Sequence, residues 1–173
     1  MWSDRGMHAR AVFVTGVSGS GKSTVGSLLA ERLGWGFVDA DDLHPKANVE
    51  KMAAGIPLTD DDRWPWLAAV GQAADRTASG PAGGVVVACS ALRKVYRDLL
   101  AEECPGAFFV QLAGDAELLT LRLQARADHF MPPALLGSQL SLLEPLAPTE
   151  QGVAVAVTAG PDAVVDAIVT SLG

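Results

Sequence analysis

The stretch Gly16-Val-Ser-Gly-Ser-Gly-Lys22-Ser23 constrains this chain more than any other feature. It ends an apolar, β-rich run, Ala11 to Thr15, and opens a segment in which Val25, Leu28, Leu29 and Leu33 recur at helical spacing before Gly34 stops it. Backbone that turns from strand into helix through Gly16, Gly19 and Gly21 can aim successive N–H groups at one point, and the helix N-terminus adds partial positive charge there. The GxxxxGKS pattern in that context is a phosphate cradle, a P-loop. It predicts ATP contacts from Gly16, Val17, Ser18, Gly19, Ser20, Gly21, Lys22, Ser23 and Thr24. Lys22 is expected to bridge β- and γ-phosphate oxygens and Ser23 to offer a hydroxyl to Mg²⁺.

A P-loop needs a parallel sheet behind it, and the rest of the chain supplies one. Gly36 to Asp39, Val85 to Cys89, Phe108 to Leu112 and Val153 to Thr158 are further strand candidates, separated by segments of helical period. Their near-continuous Val, Ala and Phe suits strands buried on both faces. The expected class is α/β, a five-stranded parallel sheet flanked by helices, and 173 residues with 49% apolar content suit a single domain, 1–173.

Composition narrows the partners. A formal charge of −7 opposes binding to nucleic acid and to anionic membrane surfaces. The longest apolar runs fall far short of the roughly 20 residues of a membrane span, and Met1 to Arg10 lacks an apolar leader stretch, so a cytoplasmic protein is expected. Cys89 and Cys104 form no CxxC pair, and with no clustered histidines they suggest free thiols rather than a disulfide framework or a zinc site.

A second set of residues completes a reaction site. Asp39-Ala-Asp41-Asp42 closes the second strand, and ligands of open parallel sheets bind beyond the carboxyl ends of strands. Alternation sends Asp39 and Asp41 to one side, where one carboxylate can support a metal and the other can accept a hydroxyl proton. After Pro45, Val49, Met52, Ala53 and Ile56 share one helical face while His44, Asn48 and Lys51 share another. Thr59 followed by Asp60 to Asp62 signals a further helix N-terminus, and Ser90 is the expected N-cap of the helix carrying Arg93 and Arg97. Asp115 opens a helix that reaches Arg122 and Arg126, four apart on one face, before Met131-Pro132-Pro133 breaks it.

Asp39-x-Asp41-x-x-His44-Pro45, Asn48-x-Glu50-Lys51-Met52 and Gly55-x-Pro57-Leu58-x-Asp60-x-Asp62-Arg63-x-Pro65-Trp66-Leu67 closely resemble the gluconate kinase (gluconokinase) family. The resemblance continues through Cys89-Ser90-Ala91-Leu92, Tyr96-Arg97-Asp98, Arg122-x-x-x-Arg126-x-x-His129-Phe130, Gln139 and Glu144-Pro145, covering nearly everything from Val12 to Pro145. It implies phosphorylation of the 6-hydroxyl of D-gluconate by ATP and Mg²⁺, on a fold similar to shikimate and nucleoside monophosphate kinases, in a homodimer. Residues about 42–80 would form a substrate-binding helical region and about 123–140 a lid.

By position, the resemblance makes Asp41 the group that orients or deprotonates the hydroxyl and puts Asp39 with Ser23 near the metal. His44, Lys51, Arg63, Ser90, Arg97, His129 and Gln139 become candidate substrate contacts. Arg122 and Arg126 are lid arginines for adenine and phosphates, with Arg126 joining Lys22 and Asp41 in catalysis. Arg93 stands where the family often has Lys, and Val157 where an aspartate is expected in the last strand. A shikimate-type or other small-molecule kinase and a non-catalytic nucleotide-sensing module are the alternatives, and a serine-hydrolase role for Ser90 lacks the GxSxG elbow and a placed histidine.

Overall fold

The computed structural model describes residues 9–17, 19–114 and 135–173. Ser18, Arg122, Arg126 and His129, the helix expected from Asp115, and most of the expected lid lie outside the described residues. Five strands, β1 (Ala11–Thr15), β2 (Gly36–Asp39), β3 (Val85–Ala88), β4 (Ala107–Ala113) and β5 (Gly152–Ala156), form one sheet in the order β2-β3-β1-β4-β5. Every pairing is parallel, so all five carboxyl ends meet at one edge. Because β1 lies between β3 and β4, the chain places β2 and β3 on one side of it and β4 and β5 on the other, and the loop after β1 opens at that divide.

The six described α-helices are α1 (Lys22–Leu33), α2 (Lys46–Ala53), α3 (Asp60–Ala78), α4 (Lys94–Glu103), α5 (Leu135–Leu142) and α6 (Pro161–Leu172). Alternation along β1 separates two cores. Ala11 and Phe13 join Trp66, Leu67 and Val70 of α3 and Tyr96 and Leu100 of α4, whereas Val12 and Val14 join Val25 and Leu29 of α1 and Val164 and Ile168 of α6. β1 and β3 are buried throughout, as continuous apolar strands should be. The edge strands β2 and β5 are not, and Phe37, Ala154 and Ala156 are exposed. Val157, where the family pattern suggested an aspartate, is buried just beyond β5.

Sequence periodicity misjudged two helices. In α2 the buried residues are Asn48 and Met52, while Val49, Ala53 and Ile56 are exposed. Asn48 turns inward because its amide nitrogen donates to the Asp62 carbonyl of α3 at 3.0 Å, and Met52 packs on Leu58. The helix expected from Ser90 begins at Lys94, with extended Arg93 at its cap position. The carbonyls of Ala91 and Leu92, which helix continuation would use, instead accept from Arg97 Nη1 at 3.1 and 3.2 Å.

α3 begins as its sequence predicts, in a capping box. Thr59 Oγ1 accepts from the Asp62 N–H at 3.2 Å, and Asp62 Oδ2 accepts from the Thr59 N–H at 2.9 Å.

Arg97 is fully buried. Its Nε and Nη2 donate to Glu150 Oε1 and Oε2 at 2.7 and 3.1 Å, Nη2 also donates to the Pro145 carbonyl at 3.3 Å, and Nη1 holds the two carbonyls named above. The guanidinium thereby ties the loop between α5 and β5 to the loop between β3 and α4. Burial pushes the Glu150 carboxyl upward, but hydrogen bonds from Arg97 and the Ala147 N–H bring it below its ordinary range. Removing one partner leaves a buried charge alone. Glu150→Ala is therefore expected to lower unfolding free energy by about 3–5 kcal/mol, with Arg97→Met/Glu150→Leu recovering most of the loss. Urea unfolding checks this, and a loss under about 1 kcal/mol for Glu150→Ala would refute a buried ion-pair clamp.

Candidate active site

The loop after β1 needs backbone that only glycine adopts without strain: Gly19 has φ 85° and Gly21, at the N-cap of α1, has φ 93°. Ser20 fastens the turn, its Oγ donating to the Val17 carbonyl at 2.7 Å, and Lys22 Nζ reaches the same carbonyl at 3.1 Å. The lysine thus arches over the mouth of the loop. Ser23, in the first turn of α1, donates through Oγ to Asp39 Oδ2 at 2.8 Å across the ends of β1 and β2. Asp39 Oδ1 accepts the Asp41 N–H at 3.1 Å, which starts the short 3₁₀ helix Ala40–Leu43. A hydroxyl and a carboxylate oxygen side by side are hard donors suited to Mg²⁺ beside phosphates.

One cleft runs from this loop into a second chamber. Gly19, Gly21, Lys22 and Ser23 line it together with Asp41, His44, Arg63, Trp66, Ser90, Tyr96, Ser138 and Gln139, and Met52, Pro57, Leu58, Leu92 and Leu142 are its apolar wall. The structure therefore brings together nine of the sequence-predicted residues, Gly19, Gly21, Lys22, Ser23, Asp41, His44, Arg63, Ser90 and Gln139, with Asp39 directly behind Ser23. Among the described residues Asp41 is the one carboxylate of the lining.

Two predicted contacts are elsewhere. Arg97 does not face the cleft, because all its donor groups are engaged by Glu150 and three backbone carbonyls. Lys51 is absent from the lining and bonds Asp62 Oδ2 at 2.8 Å. That hydrogen bond, with the Thr59 N–H, holds the Asp62 carboxyl down to about 2. Arg93 is also committed, donating to Asp60 Oδ2 at 3.0 Å and Glu144 Oε1 at 3.1 Å.

Among the described residues Arg63 is the arginine that lines the cleft; it pairs with Asp60 at 3.7 Å, and its surroundings orient it. Its side chain is 12% exposed, its Nη1 donates to the Tyr96 hydroxyl at 3.1 Å, and that hydroxyl donates in turn to Asp60. The guanidinium carbon lies 5.4 Å from the centre of the Tyr96 ring, in cation–π range. Tyr96 is buried in the core, and no sequence motif marks this bridge. The Asp60-x-x-Arg63 spacing at the start of α3 carries the pair but gives no hint of the tyrosine between them.

His44 stacks on Trp66, ring centres 3.9 Å apart at 14°, and the indole is itself fixed by an Nε1 bond to the Ala40 carbonyl at 2.7 Å. Burial first, and the Arg63 charge second, push the imidazole down to about 4 from 6.5. It is neutral at physiological pH.

Fold and cleft together define a P-loop kinase of small molecules. A family model described as shikimate kinase matches residues 18–135. A probable gluconokinase of Rattus norvegicus is 46% identical, with 93% of this chain and 96% of the relative covered, and the gluconokinase of Gluconobacter oxydans (strain 621H) is 44% identical with 95% and 92% covered. The crystal structure of a gluconokinase from Sinorhizobium meliloti 1021 superposes with a TM-score of 0.84 at 47% identity, covering 96% of this chain and 93% of that one. The chain belongs to the gluconokinase family.

The His44 shift has a signed consequence. Above pH 6.5 the imidazole is neutral whether the chain is folded or not; between 6.5 and about 4 the unfolded chain binds a proton that the folded protein refuses, so stability falls as pH falls through that window. The unfolding free energy of wild type relative to His44→Gln should decline by on the order of 2 kcal/mol between pH 7 and pH 4. Parallel urea titrations measure it, and a pH-independent difference would contradict a desolvated neutral histidine.

Proposed function

We propose that this protein transfers the γ-phosphoryl group of ATP to the 6-hydroxyl of D-gluconate, giving 6-phosphogluconate and ADP. The observation that carries the reading is the continuous cleft that joins the P-loop to Asp41, His44, Arg63 and Ser90, in a chain of the gluconokinase family. Backbone N–H groups of the glycine turn and the α1 N-terminus bind the phosphates, with Lys22 on their β and γ oxygens. Ser23 and Asp39 would hold Mg²⁺, which neutralises charge on the transferring group.

Asp41 orients the 6-hydroxyl and takes its proton as the oxygen bonds to the γ-phosphorus and the bond to the β–γ bridging oxygen breaks. Arg63, held by Tyr96, meets the sugar-acid carboxylate, since it lines the cleft whereas Lys51 and Arg97 do not. Ser90 and Gln139 complete the polar wall around the hydroxyls. The sequence resemblance adds Arg122 at the adenine, Arg126 at the phosphates and His129 near the substrate, and extends the proposal to a cytoplasmic homodimer.

An assay coupled to 6-phosphogluconate is expected to register turnover with gluconate and ATP, and none with shikimate. Asp41→Asn should keep nucleotide affinity within about twofold while kcat falls at least about a hundredfold. Nucleotide binding without gluconate-dependent ADP release in wild type would overturn the assignment, and near-wild-type kcat in Asp41→Asn would remove Asp41 from the chemistry.

A further inference from the structure

The amide of Asn48 stands between two acceptors. Its nitrogen, Nδ2, is 3.0 Å from the Asp62 carbonyl oxygen and 3.3 Å from His44 Nδ1. A carbonyl can only accept, so the atom facing it must be the amide nitrogen and not the amide oxygen. One of its two hydrogens serves Asp62, and the other points at His44 Nδ1. That ring nitrogen must then present a lone pair, because a proton on it would set two donors face to face. The remaining ring proton belongs on Nε2.

Nothing about this arrangement is incidental to packing. Asn48 is 4% exposed, on a helix whose Val49 faces solvent, and a buried amide is tolerated only where its hydrogen bonds are made. Two contacts then fix the ring completely. Stacking on Trp66 sets its plane, and the Asn48 bond sets which edge faces the helix and which the cleft. The charged groups of the neighbourhood are Asp41 from the 3₁₀ helix, Arg63 from α3 and the Lys51–Asp62 pair joining α2 to α3.

We propose that Asn48 is a positioning residue that locks His44 as its Nε2–H tautomer, so that His44 serves the acceptor site as a hydrogen-bond donor to a substrate oxygen and never as the base. This deepens the gluconate reading and rests on it only for the identity of the oxygen, a hydroxyl of the polyhydroxy acid. It divides the chamber into three tasks: Asp41 accepts the proton, Arg63 carries the positive charge, and His44 donates one neutral hydrogen bond whose direction a substrate lacking an oxygen there could not satisfy. The i,i+4 spacing of His44 and Asn48 makes the lock local to one helix start.

The test uses full-length protein with ¹⁵N-labelled histidine and long-range ¹H–¹⁵N correlation at pH 7, the His44 signals being assigned by their loss in His44→Gln. The expected pattern is a neutral ring with Nε2 protonated; an Nδ1–H or imidazolium pattern overturns the proposal. Asn48→Ala is expected to convert the pattern to a tautomer mixture and to raise the gluconate KM about tenfold, with the ATP KM unchanged within about twofold. A pure Nε2–H pattern and an unaltered gluconate KM in that variant overturn the positioning role. Should Asn48→Ala fail to fold, Asn48→Leu, which keeps the bulk and removes both donors, takes its place in the same two measurements. The tautomer is read without substrate, so a protein that fails to phosphorylate gluconate yet shows the Nε2–H lock separates the failure of the functional reading from the failure of this one.

Discussion

Parallel pairing of β1 with both β3 and β4 is the constraint on which the rest depends. It sends every connection across a face of the sheet and brings every strand to its carboxyl end at the same edge. Residues far apart in sequence become neighbours for that reason alone: Ser23 meets Asp39 across the β1 and β2 ends, and Ser90 comes to the same cleft at the end of β3. The glycine turn exploits the position further. There the N-terminus of α1 follows β1 at the divide between the two directions of winding, where phosphate charge is well met.

The acceptor chamber is governed by a different economy, that of positive charge. The chain carries 13 lysines and arginines against 20 acids, so a cation near the cleft is more easily neutralised by the protein than kept for a ligand. Lys51, Arg93 and Arg97 all go that way, to Asp62, to Asp60 with Glu144, and to Glu150. Arg63 pairs with an acid as well, 3.7 Å from Asp60, but Tyr96 takes the short bond to that carboxylate and the guanidinium still lines the cleft. The Tyr96 hydroxyl, bonded to both members of the pair, holds the arginine in place.

The sheet was legible in the sequence because its information is local and repetitive. All five strand candidates match within a few residues, since runs of Val, Ala and Phe between helical segments have few other solutions. The phosphate loop was legible because its glycines encode a backbone conformation rather than a contact. The acceptor half was legible only as a set of residues. Which arginine lines the cleft depends on Glu150, more than fifty residues from Arg97, and on a buried tyrosine that no motif singles out. The inward turn of Asn48 was invisible for the same reason: its partner is a backbone carbonyl on another helix, and apolar periodicity pointed to Val49 and Ile56 instead.

These misreadings share a cause that bears on how such a site is built. A phosphate cradle needs main-chain donors, and any sequence that permits the turn provides them. A chamber for a polyhydroxy acid needs donors and acceptors in a fixed order, and each must be held by a partner with no freedom to exchange roles. Trp66, Tyr96, Asn48 and Asp60 are such partners: each touches a cleft side chain, or the group that holds one, and each bonds a further group behind it. Buried polar networks of this kind contribute little net stability, and a half-satisfied one is worse than an apolar wall. Their persistence around His44 and Arg63 is therefore better explained by the direction they give to two hydrogen-bond donors than by any strength they add to the fold.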